Sequence, residues 1–245
     1  RYCGAKYAVS FSSGTAALQG AYYSARIGKG DEIITSPLTF ASTSNMILAC
    51  GAKPVFADIE IDTGNLDPQD VLKKITRKTK AVAVVDYAGL PVDIFSFKKI
   101  ATKHNLALIE DAAHSLGASY KGKKVGSMAD MTMFSFHPVK SVTTGEGGII
   151  VTNDKKKYEK LILFRSHGIT KDSKKLFKKG REAWYHEMHD LGFNFRLTDI
   201  QAALGVSQMN KINRFIEKRK EIARRYHQEL CGLKHFILPK EIPGR

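Results

Sequence analysis

The sequence has 245 residues, of which 43% are hydrophobic and 26% charged, the balance of a soluble globular protein large enough for one α/β domain or two smaller ones. Lys and Arg number 39 against 24 Asp and Glu, a net charge of +15, which suits nucleic acid, anionic lipid or an anionic small molecule. The basic residues are dispersed, with local clusters at 155–157, 174–179 and 218–220, and no stretch interleaves aromatics with arginines or carries zinc-finger spacing, so nucleic-acid binding is the weaker reading.

No apolar run approaches the roughly 20 residues that span a bilayer. The chain opens on Arg1-Tyr2-Cys3-Gly4 without a signal-peptide pattern and passes directly into a strand. Cys3, Cys50 and Cys231 are scattered and odd in number, as expected of reduced thiols in a cytoplasmic protein.

In chain order, residues 7–12 read as a short strand that turns through Ser12-Ser13-Gly14-Thr15 into a helix over 16–25. A strand running through such a turn into a helix N-terminus offers free N–H groups and the positive end of the helix dipole to an anion. An ordinary N-cap explains the same residues. A strand at 32–35, a helix at 40–49, a strand at 53–59 and a helix at 68–75 behind the N-cap Asp67 follow. The near-continuous apolar run at 80–86 predicts a strand buried on both faces. After it come a helix at 94–104 and another buried strand, 106–111, that ends on Glu110 and Asp111.

Residues 131–152 predict two strands flanking one constrained loop. Met131, Met133 and Ser135 alternate with Thr132, Phe134 and Phe136. Pro138 turns the chain, Gly145, Gly147 and Gly148 turn it back, and the loop between carries Lys140. A helix at 155–165 comes next. The polar segment 169–190 shows no period and reads as a mobile loop; its His186-Glu187-Met188-His189 lacks zinc-binding spacing. Thr198 and Gln201 form a capping box that opens one long helix with an apolar stripe through Ile200, Leu204, Ile212, Phe215, Ile216, Ile222 and Tyr226, softened near 207–210.

Alternating strands and helices imply an α/β fold with a mostly parallel sheet covered on both faces, and a ligand at the carboxyl ends of its strands. Ser12 to Thr15, Asp86-Tyr87, Asp111 to His114 and Ser135 to Lys140 all fall there. A lysine amine, a helix N-terminus for a phosphate and a strand-end carboxylate for a pyridine nitrogen are what pyridoxal phosphate requires. The alternative, from pattern alone, is that Asp111 only caps the residues after it.

Six motifs stand in one order: Ser13-Gly14-Thr15-Ala16-Ala17-Leu18, Thr39-Phe40-Ala41-Ser42-Thr43, Glu110-Asp111-Ala112-Ala113-His114, Ser135-Phe136-His137-Pro138-Val139-Lys140, Thr144-Gly145-Glu146-Gly147-Gly148 and Gly192 to Gln201. The series resembles the sugar aminotransferases of the DegT/DnrJ/EryC1/StrS family over nearly the whole chain. The resemblance implies the fold-type I aminotransferase architecture, with a pyridoxal phosphate-binding large domain at 1–210 and the start of a C-terminal small domain at 211–245, trimmed at both ends. It implies that Lys140 is the catalytic Schiff-base lysine and that Asp111 faces the pyridine nitrogen. His114 would lie near the ring, Gly14, Thr15 and Ser135 at the phosphate, and Phe40 stacked on the ring. Asn194 would reach the phosphate of a neighbouring subunit, so a homodimer with shared sites is implied.

Val85 to Gly89 and Leu163 to Gly168 look most like the family's enzymes of pseudaminic acid synthesis, which transfer an amino group from glutamate to C4 of a UDP-linked 4-keto-6-deoxy-N-acetylhexosamine. The basic segment between Arg165 and Arg181 is expected to draw in the UDP diphosphate. Another nucleotide ketosugar, or a sugar dehydratase activity on the same fold, is the alternative; dehydratases of the family carry His in place of the lysine, so Lys140 favours transamination.

Overall fold

The computed structural model describes residues 1–178, 182 and 184–245. Seven strands build its main sheet: β1 (Tyr7–Phe11), β2 (Glu32–Thr35), β3 (Lys53–Phe56), β4 (Thr79–Val85), β5 (Ala107–Asp111), β8 (Met131–Ser135) and β9 (Gly148–Thr152). The strand order is β1-β9-β8-β5-β4-β2-β3. β9 runs antiparallel to both neighbours, and every other pair is parallel. The short hairpin β6 (Ser119–Tyr120) and β7 (Lys123–Lys124) stands outside this sheet.

Burial on both faces follows the alternation of the strands. Ala81, Ala83, Ile109, Met131 and Met133 point to one core, shared with Leu18 and Tyr22 of α1 (Gly14–Ser24), Ile47 of α2 (Ser42–Ala49) and Leu161 of α5 (Lys155–Arg165). Val82, Val84 and Leu108 point the other way, against Val71 of α3 (Pro68–Lys74) and Phe97 of α4 (Ile94–His104). Each of these large side chains contributes about 1.5–3 kcal/mol by leaving water. A third cluster joins Phe134, Val142, Val151 and Leu116 to Ile212.

Local signals set several boundaries. Asp67, Asp93 and Asp154 cap α3, α4 and α5 by accepting from amides of the first turn, and Asn105 ends α4 in the left-handed region. The expected helix at 40–49 begins only at Ser42, and the expected strand at 53–59 stops at Phe56.

Two expectations are corrected. The single long helix is two, α6 (Asp199–Met209) and α7 (Ile212–Leu230), broken at Asn210–Lys211 where Ser207 and Asn210 are weak helix formers. Its stripe is only partly covered: Ile212 is buried, whereas Ile200 is 85% exposed and Tyr226 is 64% exposed. The segment 169–190 is not devoid of structure either. β10 (Ile169–Thr170) pairs with β11 (Glu187–Met188), and Glu187 accepts from the amides of Phe177 and Lys178 at 2.8 and 3.1 Å. No described helix is long and apolar enough to cross a membrane.

Candidate active site

The carboxyl ends of β1, β2, β4, β5 and β8 lie along one edge of the sheet, and β9 enters at that edge. Gly148 pairs with both Phe11 and Ser135, so it sits between the ends of β1 and β8. A Cβ at Gly148 would come within 2.5 Å of the Ser13 carbonyl oxygen; only glycine lets the turn into α1 cross here. A Cβ at Gly14 would lie 3.2 Å from Ser135 Cβ and Oγ, so the start of α1 rests against Ser135. Ser13 Oγ accepts from the Ala16 amide at 3.1 Å, the ordinary cap. Gly14 and Thr15 occupy the first two helical positions, whose amides have no partner within a helix. The cap and the anion-site readings are therefore compatible.

Asp111 closes β5 and is buried. Its Oδ2 accepts from Thr43 Oγ1 at 2.7 Å and its Oδ1 from the Ala113 amide at 3.2 Å. Thr43 Oγ1 also lies 2.9 Å from Thr39 Oγ1, and Tyr22 Oη donates to the Thr43 carbonyl at 3.0 Å, tying α2 to α1. Burial pushes the Asp111 carboxyl above its ordinary value; the Thr43 and Ala113 hydrogen bonds and the charge of Lys140 only partly oppose it. Sequence reasoning assigned Thr43 no role. The signal was the Thr39–Thr43 spacing, which sets two hydroxyls together at the entry to α2.

Lys140 is half-buried on the loop after β8, where its amide donates to the His137 carbonyl at 3.0 Å. Burial lowers its amine below the ordinary lysine value, and Asp111 opposes this. The His114 ring is lowered by burial and then by Lys140. Lys140 thus acts electrostatically on both Asp111 and His114, and Asp111 acts on Lys140. Phe40 is 77% exposed just before α2 and outside the core. Asn194 lies exposed in an extended segment beside the end of α5, bridged through its backbone to Ser166. Its side chain makes no hydrogen bond among the described residues.

Arg165, at the start of the basic segment, is tied to the sheet. Its guanidinium donates to the Ser10 carbonyl and hydroxyl at 3.1 Å each, which fixes the end of α5 to β1. Arg181 lies outside the described residues.

The donor set fits pyridoxal phosphate. A buried carboxylate whose charge remains under-compensated suits a pyridinium, the start of α1 with Ser135 suits a phosphate, and a half-buried amine of lowered basicity suits an aldehyde.

The sequence profile of the DegT/DnrJ/EryC1/StrS aminotransferase family matches residues 1–244. The chain belongs to this family. The UDP-4-amino-4,6-dideoxy-N-acetyl-beta-L-altrosamine transaminase of Campylobacter jejuni serotype O:23/36 is 44% identical over 231 residues, 93% of this chain and 58% of that one. Among solved structures, Helicobacter pylori PseC, an aminotransferase involved in the biosynthesis of pseudoaminic acid, superposes with a TM-score of 0.88 at 41% identity, over 96% of this chain and 61% of that one. The PLP-form of a putative sugar aminotransferase from Streptococcus pneumoniae gives 0.85 at 30% identity, over 94% and 62%. The sheet described above is that of this aminotransferase family, and the chain spans about three-fifths of the length of these relatives.

Proposed function

We propose that this chain forms the cofactor-binding part of a pyridoxal phosphate-dependent aminotransferase that moves an amino group from glutamate to C4 of a UDP-linked 4-keto-6-deoxy-N-acetylhexosamine. The observation that carries the reading is the convergence of Lys140, Asp111 and the start of α1 at one sheet edge. The C4 position and the UDP-sugar class rest on the names of relatives at 42–44% identity.

Pyridoxal phosphate, when bound, supplies an electrophilic carbon and an electron sink. Lys140 Nζ would hold it at its aldehyde. Because burial lowers the amine's basicity, a free Nζ would both accept a proton and return one. Asp111, fixed by Thr43 and Ala113, would keep a proton on the pyridine nitrogen. Gly14, Thr15 and Ser135 would hold the phosphate, and His114 and Phe40 would stand beside the ring. Asn194, whose side chain is exposed and makes no hydrogen bond among the described residues, completes the site of a second copy. The exposed apolar side chains Val139, Ile200 and Val206 supply contact area for that copy.

Borohydride reduction followed by peptide mapping tests the assignment. A cofactor adduct on Lys140 is the expected result. An adduct on another lysine, or none in cofactor-saturated full-length protein, would overturn it.

A further inference from the structure

α7 is the last long helix of the chain, and most of it is exposed. Three of its residues nevertheless face the site. Ile212 is buried in the cluster that holds Val142, two residues beyond Lys140. Ile216, one turn on, packs over Gly117, where any Cβ would strike Ile216 Cδ1. Gly117 ends the turn that carries His114 and has a φ of +101°, so glycine there serves both conformation and contact. Arg219 continues the same face. Its two terminal nitrogens donate to the carbonyls of Lys140 and Ser141, each at 3.2 Å. One helix face therefore braces both the His114 loop and the Lys140 loop.

We infer that Arg219 is a positioning residue for Lys140, its planar fork fixing the two peptide carbonyls from which the amine side chain projects. The loop needs such a brace. Pro138 has no amide to donate, and the backbone hydrogen bond of Lys140 to His137 is local. Side chains on either side of Lys140 are divided between exposed Val139 and buried Val142, so packing anchors the loop on one side only. A guanidinium spans two successive carbonyls with fixed geometry, whereas an ammonium is a single rotating point charge. An arginine on a surface helix would ordinarily point into solvent. Here two hydrogen bonds, made across 78 and 79 residues of sequence, hold it to the main chain of Ser141 and Lys140.

The role rests on the reading of Lys140 as the reactive amine, and its test is arranged to stand apart from that reading. In cofactor-free full-length protein, Lys140 is labelled at its amine across a pH series, and the extent is read by mass spectrometry of its peptide. Arg219→Met is expected to move the Lys140 labelling profile to higher pH, because the loosened amine leaves its half-buried position and gains water. Arg219→Lys restores the charge without the fork and is expected to remain shifted. Arg225→Met, on the exposed side of α7, is expected to match the wild type, and all three proteins to melt as the wild type does. In the loaded enzyme, Arg219→Met should lower kcat by about 10- to 100-fold with little change in KM for glutamate, the signature of a misplaced group.

An unchanged labelling profile in Arg219→Met overturns the inference, whatever happens to activity. A wild-type profile in Arg219→Lys also overturns it, since charge alone would then suffice. Should Arg219→Met fail to fold, the Arg219→Lys profile still decides. A missing cofactor adduct on wild-type Lys140 would sink the proposed function and leave the labelling result standing.

Discussion

Thr43 donates a 2.7 Å hydrogen bond to Asp111 across 68 residues of sequence, and Thr39 stands 2.9 Å behind it. The acceptor is a buried carboxylate that burial pushes towards its protonated form. Removing a donor from a buried charged acceptor costs about 1.5–3 kcal/mol. Thr43→Val keeps the shape and deletes the hydroxyl, so Asp111 should take up a proton more readily and hold a pyridinium less well. The expected outcome is at least a ~10-fold weaker affinity for pyridoxal phosphate, as 1.4 kcal/mol is tenfold. Fluorescence titration of the cofactor-free protein measures it. Thr43→Ser should bind as the wild type does; wild-type affinity in Thr43→Val, with Thr43→Ser weakened, would show that the methyl group matters and the hydroxyl does not.

Gly148 offers a test of the phosphate end. A Cβ there would stand 2.5 Å from the Ser13 oxygen and 2.7 Å from the Gly14 nitrogen, and both are main-chain atoms that cannot rotate away. Gly148→Ala should therefore lift the start of α1 off the sheet and cost about 1–3 kcal/mol, the usual penalty of overpacking. Urea denaturation reads the stability, and the same cofactor titration reads the displaced turn. A variant with wild-type values for both would mean that the turn adapts freely.

Much of the sheet was legible because its signals are local or periodic. The apolar run of β4 announces burial on two faces, and Ala81 and Val82 do pack in opposite cores. Helices α4 and α5 fall at 94–104 and 155–165 as expected, because an aspartate caps each start. The loops bearing Asp111 and Lys140 were placed by topology: in a mostly parallel sheet their strands end at the same edge. What escaped were contacts that no window of sequence contains. Thr43 meets Asp111 and Arg219 meets Lys140 only after the crossovers are packed. β10 and β11 escaped for another reason: strands of two residues are too short to show a period. The use of Arg165 was hidden because a basic side chain beside a basic segment looks the same whether it binds Ser10 or a diphosphate.

Asp86 carries a pH prediction. It is fully buried at the end of β4, where its carboxylate accepts from Ser115 Oγ and from the Val92 amide. Burial raises its pKa to about 7; the two hydrogen bonds and Arg245 oppose the shift, and Asp111 adds to it. The folded form thus retains a proton that the unfolded chain has already released. The stability contributed by protonated Asp86 should be fully present below the ordinary carboxyl range, fall as pH rises from about 4 to about 7, and be absent above that. Asp86→Asn removes the titration, so the loss of stability between pH 5 and pH 8 should shrink in thermal melts. An unchanged slope would assign that pH dependence to Glu110, which is also buried and raised well above its ordinary value.

Sharing of the site between two copies can be decided by mixing variants. Lys140→Ala removes the reactive amine, and Asn194→Ala removes the contact that the second copy would supply; each protein alone should be nearly inactive. If Asn194 serves the partner's site, a mixed dimer gathers both defects into one site and leaves the other intact. Random reassortment of a two-fold dimer makes half of the dimers mixed, so about a quarter of the wild-type sites should recover. Mixing the full-length variants, dissociating and refolding them together, and assaying glutamate-dependent amino transfer measures that fraction. If Asn194 instead serves its own subunit, a mixed dimer carries one defect in each site and no activity returns. That result would confine the site to one chain, with Asn194, beside Ser166, serving the site of its own subunit.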